Sequence, residues 1–113
     1  QCQRQRRLGL WIFVRRTHGS ADALCVLQDH QERRRHRDGV LDKKTKELIA
    51  LALGVAAHCD ACIGFHVQAL VKLGASKAEL EEALGMAIYM GGGPSVMYSA
   101  NAFAAFEEFS TAP

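Results

Sequence analysis

Four residues near the middle of the chain carry side chains that suit thiol redox chemistry. Cys59, Cys62 and His66 follow one another in a Cys-x-x-Cys-x-x-x-His pattern, and Glu47 stands twelve residues before the first cysteine. A thiol attacks only as its thiolate, and a thiol of ordinary pKa is mostly protonated at neutral pH. A nearby histidine can take the proton, and a carboxylate can hold the tautomer of that histidine and stabilise its imidazolium.

An α-helix would bring the two thiols and the imidazole to one side. At about 100° per residue, Cys59, Cys62 and His66 lie at about 0°, 300° and 340° around a helix. A second thiol nearby can capture a sulfenic acid as a disulfide before the sulfur over-oxidises. The residues leave the attacking thiol open, because a helix N-terminus favours the Cys59 thiolate while His66, one turn away, favours Cys62.

Four helices are predicted to position these groups. From residue 40 onward, apolar residues recur at helical spacing over 43–57, 59–73, 77–90 and 95–109. The chain is therefore predicted to be all-α. An antiparallel pair formed by the first two helices could bring Glu47 to His66, although a solvated Glu47 carboxylate is also open from the sequence.

Signals for the ends of these helices are present at the expected places. Asp42 is a predicted N-cap, and Ser76 and Glu79 form a predicted capping box. Gly74 is a predicted helix stop. Three glycines followed by Pro94 predict a break before the last helix.

Packing positions are also predicted from the pattern. The last helix is expected to turn inward its residues Val96, Ala100, Phe103 and Ala104. The first helix is expected to bury Ile49 among its apolar residues. The side chains that flank the glycine run are expected to pack in the core or an interface, or to line an apolar approach to the thiols: Tyr89, Met90, Met97 and Tyr98.

Three glycines lie inside predicted helices, at Gly54, Gly64 and Gly85. Each should cost roughly 1 kcal/mol of helix stability relative to alanine. Close packing between helices would explain all three. For Gly64, the alternative is that it leaves backbone room beside the active thiol.

The first forty residues differ from the rest in their charged residues. Residues 1–40 hold nine arginines, no lysine and four acids, whereas residues 41–113 hold five lysines, no arginine and eight acids. We predict an atypical N-terminal segment over 1–40 and a helical domain over 41–113. For the first segment, a disordered tail, a nucleic-acid-binding arm and a reading-frame artefact are all open. The net charge of +2 does not indicate a nucleic-acid partner, and neither a signal peptide nor a membrane span is expected.

The combined motif resembles that of the AhpD-like alkylhydroperoxidases of the carboxymuconolactone decarboxylase superfamily. Glu47, the twelve-residue interval and the Cys-x-x-Cys-x-x-x-His pattern carry the resemblance. The run Leu-Asp-Lys-Lys-Thr-Lys-Glu-Leu-Ile-Ala-Leu-Ala at 41–52, Gly-Ala at 74–75 and Met-Gly-Gly-Gly-Pro at 90–94 support it over roughly residues 40–109. The resemblance implies a small all-α helical bundle of the AhpD-like type that assembles as a homotrimer or homohexamer.

The resemblance also implies a role for each residue of the motif. The thiol of Cys62 attacks the peroxide, and the thiol of Cys59 resolves the sulfenic acid into a disulfide. Glu47 and His66 relay the proton. Some relatives carry an extra histidine between the two cysteines, where this chain has alanine; His58, just before the motif, could substitute for it or be a surface-loop residue.

We therefore expect a cytoplasmic antioxidant oxidoreductase of the peroxiredoxin type, which reduces alkyl hydroperoxides, or a related thiol–disulfide oxidoreductase. The cysteine pair is its own redox group, so neither a separate cofactor nor a metal is expected. The expected partners are a peroxide substrate and a dithiol reductant, which the resemblance suggests is a lipoyl-carrying or thioredoxin-like protein. No nucleic acid or membrane partner is expected. The decarboxylase branch lacks the cysteine pair, so decarboxylation is not expected.

Two other interpretations of the cysteine pair stay open. A non-enzymatic oligomeric module could use the pair as a redox sensor or as a structural bridge. A zinc ion could take Cys59, Cys62 and His66 as ligands together with Glu47 or His58, although one helical stripe is a poor source of a tetrahedron.

Overall fold

A computed structural model describes residues 37–113, which fold into four α-helices. The helices are α1 (Lys43–Ala56), α2 (Asp60–Lys72), α3 (Lys77–Gly91) and α4 (Gly93–Thr111). This part of the chain contains no strand, so the all-α prediction is confirmed. The predicted helix ends are within two residues of those observed. The expectations for residues 1–36 lie outside the described residues.

Local capping explains where the helices begin and end. The Asp42 carboxylate accepts a hydrogen bond from the backbone N–H of Thr45 at 2.6 Å, and hydrogen bonding to Thr45 lowers the pKa of Asp42. The Ser76 hydroxyl accepts from the N–H of Glu79 at 3.1 Å, and the Glu79 carboxylate accepts from the N–H of Ser76 at 2.8 Å. Gly74 has φ 73°, the left-handed conformation of a helix stop. The predicted N-cap, capping box and stop are confirmed.

The break between α3 and α4 is shorter than the sequence predicts. Gly91 ends α3 and Gly93 begins α4, so only Gly92, with φ 69°, interrupts the helical backbone. Pro94 lies in the first turn of α4, where its missing N–H is not needed. Gly91 allows a close approach, because a Cβ at this position would collide with the hydroxyl of Ser95.

Two ion pairs show how the helices are arranged. Lys44 Nζ lies 2.7 Å from Glu79 Oε1, which joins the first turns of α1 and α3. Lys77 Nζ lies 3.1 Å from Glu107 Oε1, which joins the start of α3 to the last turns of α4. Helix α1 packs against α2 and α3, and α4 packs against both of them as well. The α1–α2 turn and the α3–α4 break therefore lie at the same end of the bundle.

Aliphatic side chains from the four helices fill the core. Its largest fully buried members are Leu51, Leu70, Leu80 and Leu84. Burying one such leucine stabilises the fold by about 1.5–3 kcal/mol. The core is completed by Val55, Ile63, Val67, Ala75, Ala87, Ala102 and Phe106. No helix within residues 37–113 has the length and hydropathy needed to cross a bilayer.

The inward face of α4 differs from the predicted one. Val96 is 48% exposed, and Ala100 and Ala104 are also exposed, whereas Phe103 is partly buried against the core as predicted. The helix instead buries Ser95, Ser99, Ala102 and Phe106. Because serine is polar, the buried face of α4 does not appear as apolar residues at helical spacing. The apolar spacing points instead to neighbouring positions of the helix. The expected burial of Ile49 in α1 is wrong too, since this residue is 46% exposed.

The buried hydroxyls of Ser95 and Ser99 have no hydrogen-bond partner within the described part of the chain. An unsatisfied buried polar group costs about 1–3 kcal/mol, and serine is a poorer helix former than alanine. We expect Ser99→Ala to raise the free energy of unfolding by about 1 kcal/mol, measured by chemical denaturation. Ser110→Ala, at an exposed position of the same helix, is the control for helix propensity. Destabilisation by Ser99→Ala would contradict the prediction.

The Glu79 carboxylate makes stability depend on pH. Its hydrogen bond with Lys44, together with the one from the Ser76 N–H, lowers the pKa of Glu79 below its usual 4.5. A lowered folded-state pKa stabilises the fold above the unfolded pKa, and this contribution is lost as pH falls through the folded value. Glu79→Gln should therefore lower Tm at pH 7 and differ less from wild type as the pH falls from about 4.5 to 3. A difference in Tm that stays constant over this pH range would refute the prediction, and Glu82→Gln removes an exposed carboxylate of the same helix as a control.

Candidate active site

The turn between α1 and α2 has three residues and is closed by paired hydrogen bonds. The N–H of His58 donates to the Val55 carbonyl at 3.1 Å, and the N–H of Cys59 donates to the Gly54 carbonyl at 3.0 Å. This pair forms a Schellman motif, in which His58, with φ 55°, takes the left-handed position that glycine usually occupies. The main chain of Cys59 is thereby fixed to the last turn of α1.

Cys59 is the N-cap of α2 and not its first residue. Its backbone is extended, with φ −106°, and its Sγ accepts a hydrogen bond from the N–H of Cys62 at 3.3 Å. The predicted helix start at residue 59 is therefore wrong by one residue, and Cys59 lies just ahead of the helical stripe. The two cysteines are joined by a disulfide, with their Cα atoms 5.2 Å apart. Both residues are partly exposed.

Glu47 and His66 meet where α1 packs against α2. Glu47 Oε2 lies 2.7 Å from His66 Nδ1. Glu47 is buried, with 7% of its surface exposed, whereas the His66 side chain is 33% exposed. An ionised carboxylate only accepts hydrogen bonds, so the contact favours the tautomer with its proton on Nδ1 and leaves Nε2 as the acceptor. The contact therefore selects the tautomer and orientation of the imidazole.

The cysteine pair and the Glu47–His66 pair are connected through α2. Cys62 and His66 are four residues apart in this helix, so their side chains are neighbours on its surface, with Cβ atoms about 5–6 Å apart. The structure thus gathers all four residues of the motif at the α1–α2 contact. Their catalytic roles stay predictions.

Gly54 is the glycine that makes room for a cysteine. A Cβ at Gly54 would lie 3.2 Å from the Cβ of Cys62, whereas a Cβ at Gly64 or Gly85 would meet nothing within 4 Å. Close packing is therefore wrong for Gly64 and Gly85, and the backbone room attributed to Gly64 belongs to Gly54. Helical spacing could have indicated this, because Gly54 is seven residues from Glu47 and so lies on the same face of α1.

A ring contact beside the disulfide was not predicted. The imidazole of His58 stacks on the phenol ring of Tyr98 in α4, with ring centroids 4.7 Å apart. His58 is exposed and Tyr98 is half-buried against the core. No sequence signal links residues forty positions apart. The other side chains around the glycine run are exposed and not part of the core: Tyr89, Met90 and Met97.

The zinc interpretation receives no support from the geometry of the described helices. Within residues 37–113, no group of three or more histidine, cysteine or acidic side chains is arranged to hold a metal ion. Glu47 is engaged with His66, and the ring of His58 is stacked on Tyr98.

Comparison with known sequences gives relatives over most of the chain. The model of the carboxymuconolactone decarboxylase family matches residues 22–106, a range that begins upstream of residue 40. An uncharacterised protein of Cupriavidus necator is 44% identical over 71 residues, which are 63% of this chain and 63% of that protein. An uncharacterised protein encoded in the cox locus of Paracoccus denitrificans is 36% identical over 75 residues, 66% of this chain and 68% of that protein.

Solved structures give longer matches. The apo form of a carboxymuconolactone decarboxylase family protein from Legionella pneumophila is 50% identical, with a TM-score of 0.69, and the match covers 97% of this chain and 95% of that one. A family protein from Thermotoga maritima, for which an involvement in antioxidative response has been suggested, is 33% identical, with a TM-score of 0.63. That match covers 92% of this chain and 86% of the Thermotoga chain. With its four helices and its Glu47, Cys59, Cys62 and His66 motif, the chain belongs to the carboxymuconolactone decarboxylase family, which matches the AhpD-like resemblance of its sequence.

Proposed function

We propose that the chain is a thiol-dependent peroxidase that reduces alkyl hydroperoxides, or a closely related thiol–disulfide oxidoreductase, with the Cys59–Cys62 pair as its redox group. The observation that carries this proposal is the 2.7 Å contact between buried Glu47 and His66, one helical turn from Cys62. A disulfide alone could be a structural bridge. A carboxylate that orients an imidazole beside the thiol is what activation of a nucleophile requires.

Reduction of the peroxide begins at Cys62. His66 Nε2 removes the thiol proton, and the thiolate attacks the terminal oxygen of the hydroperoxide. The O–O bond breaks, and the proton passes from His66 to the leaving alkoxide. The products are an alcohol and the sulfenic acid of Cys62. Glu47 stabilises the imidazolium that exists between the two proton transfers.

Cys59 and an external dithiol complete the cycle. The thiol of Cys59 attacks the sulfenic sulfur of Cys62, the disulfide forms and water leaves. The dithiol then reduces the disulfide with two electrons and two protons and becomes a disulfide itself. Because the Cys59 sulfur lies at the N-terminus of α2, the helix dipole favours its thiolate. Cys59 is therefore a good leaving group when the reductant attacks Cys62.

The reductant and the compartment follow from the same proposal. The resemblance to AhpD-like proteins points to a lipoyl-carrying or thioredoxin-like protein as the dithiol. Sustained reduction of the pair needs a reducing compartment, so we place the protein in the cytoplasm. The suggested antioxidative role of the Thermotoga relative agrees with peroxide reduction. The cycle uses the cysteine pair as its redox group, without a separate cofactor or metal.

Consumption of cumene hydroperoxide with dihydrolipoamide as reductant tests these roles. Cys62→Ser should abolish turnover, and His66→Gln should lower the rate about 100-fold or more, since general acid–base catalysis contributes about 10²–10⁴-fold. The Cys59→Ser variant should complete one reaction with peroxide and then stop, with a sulfenic acid at Cys62 that dimedone labels. His58→Asn is the control, because asparagine tolerates the left-handed backbone and the proposed mechanism does not use His58.

Unchanged turnover in the Cys62→Ser variant would contradict the peroxidase assignment. A wild-type chain that oxidises once and does not cycle with excess peroxide and dithiol would instead be a redox-sensing or structural module. Stoichiometric zinc in the purified protein would favour the metal interpretation.

We also propose that the chain assembles as a homotrimer or homohexamer. Large apolar side chains are exposed on the bundle, and aromatic and methionine side chains of this kind are enriched at protein interfaces. They include Leu53, Phe65, Met86, Tyr89, Met90 and Met97. The family resemblance supplies the two oligomeric states.

A charge placed on the exposed ring of Phe65 tests this assembly. Phe65 is 74% exposed on α2, and burying a carboxylate in an interface would be costly. We expect Phe65→Glu to reduce the mass measured by light scattering during gel filtration from that of a trimer or hexamer to that of a smaller species. Ser110→Glu adds the same charge at an exposed polar position and should leave the mass unchanged. A monomeric wild-type chain would contradict the proposal.

A further inference from the structure

Gly54 is linked to both cysteines of the pair, once through its carbonyl group and once through its missing side chain. We infer that Gly54 is a positioning residue that sets the equilibrium between the disulfide and dithiol forms of Cys59 and Cys62. The inference rests on the proposed function in one respect, because it requires that the pair cycles between these two forms.

The first link is steric. Gly54 is buried in the last turns of α1, directly opposite the first turn of α2. A Cβ built on Gly54 would lie 3.2 Å from the Cβ of Cys62 and 3.8 Å from the carbonyl carbon of Cys62. Carbon atoms in favourable contact lie about 3.5–4.0 Å apart. Any side chain at this position would therefore push α1 and Cys62 apart by a few tenths of an ångström.

The second link is a hydrogen bond. The Gly54 carbonyl accepts from the N–H of Cys59 at 3.0 Å, as part of the Schellman motif that ends α1. The same residue thus holds the main chain of one cysteine and leaves space for the other. Cys59 in turn caps α2 by accepting from the N–H of Cys62.

In the disulfide form these links make a closed loop. The loop runs from Gly54 to Cys59 through the hydrogen bond, from Cys59 to Cys62 through the disulfide, and from Cys62 back to Gly54 through the close contact. Cys62 cannot move away from Gly54 without pulling on Cys59, which Gly54 also holds. In the dithiol form the sulfur–sulfur bond is absent, so Cys62 can move a few tenths of an ångström from Gly54 without pulling on Cys59. A methyl group at position 54 therefore costs more in the disulfide form.

The test measures this equilibrium directly in the full chain. Wild type, Gly54→Ala and Gly64→Ala are equilibrated with mixtures of reduced and oxidised dithiothreitol, and free thiols are alkylated. Mass spectrometry then quantifies tryptic peptide 47–72, which holds both cysteines of the pair but neither Cys2 nor Cys25. We expect Gly54→Ala to raise the ratio of dithiol to disulfide about threefold to tenfold, where tenfold corresponds to about 30 mV. Gly64→Ala, which adds the same methyl group to open space, should match wild type.

An unchanged ratio in Gly54→Ala would overturn the inference. So would equal destabilisation of the oxidised and reduced forms in thermal unfolding, because Gly54 would then serve packing alone. The double variant Gly54→Ala/Gly64→Ala controls for misfolding, because Gly64→Ala favours the α2 helix. Failure of this double variant to fold in both redox states would also contradict the inference. A wild-type pair that does not exchange with dithiothreitol would instead contradict the proposed redox cycle.

Discussion

The buried Glu47 carboxylate imposes a constraint that fixes how α1 and α2 pack. A carboxylate removed from water needs a hydrogen-bonding partner, and His66 supplies one at 2.7 Å. Together with the buried aliphatic side chains of both helices, this contact constrains the rotation of α2 and its position along α1. Cys62 lies one turn from His66 on α2, so the same contact orients the imidazole next to the cysteine pair. A structural requirement of the α1–α2 packing thereby also prepares the chemistry of the site.

Features that depend on neighbours in sequence could be predicted, because their physical causes are local. The Asp42 N-cap, the Ser76–Glu79 capping box and the Gly74 stop satisfy backbone groups within a few residues, and each was found as predicted. The helical repeat likewise placed Cys62 and His66 on one side of α2. The contact of Glu47 with His66 could be anticipated only as one outcome of an antiparallel helix pair. The division of the chain at residue 40 stays a prediction.

Features that depend on packing between helices could not be predicted from the sequence. The buried face of α4 contains Ser95 and Ser99, so hydropathy pointed to the wrong side of that helix. The stacking of His58 on Tyr98 joins residues whose proximity only the assembled bundle creates. Among the three helical glycines, spacing places Gly54 on the face of Glu47, but only the packing of α1 against α2 shows that Gly54 makes room for Cys62.

The connection between α1 and α2 is only three residues long, from residue 57 to residue 59. Cys59 ends the Schellman motif of one helix and caps the next, so both helices share it. An inserted residue would break the paired hydrogen bonds that join Cys59 to the last turn of α1, and it would displace the start of α2 relative to Glu47. Relatives of this chain that keep the carboxylate–imidazole contact should therefore vary in length elsewhere. The twelve-residue interval from Glu47 to Cys59 therefore has a fixed length, and Gly54 within it also limits which side chains this part of the fold can carry.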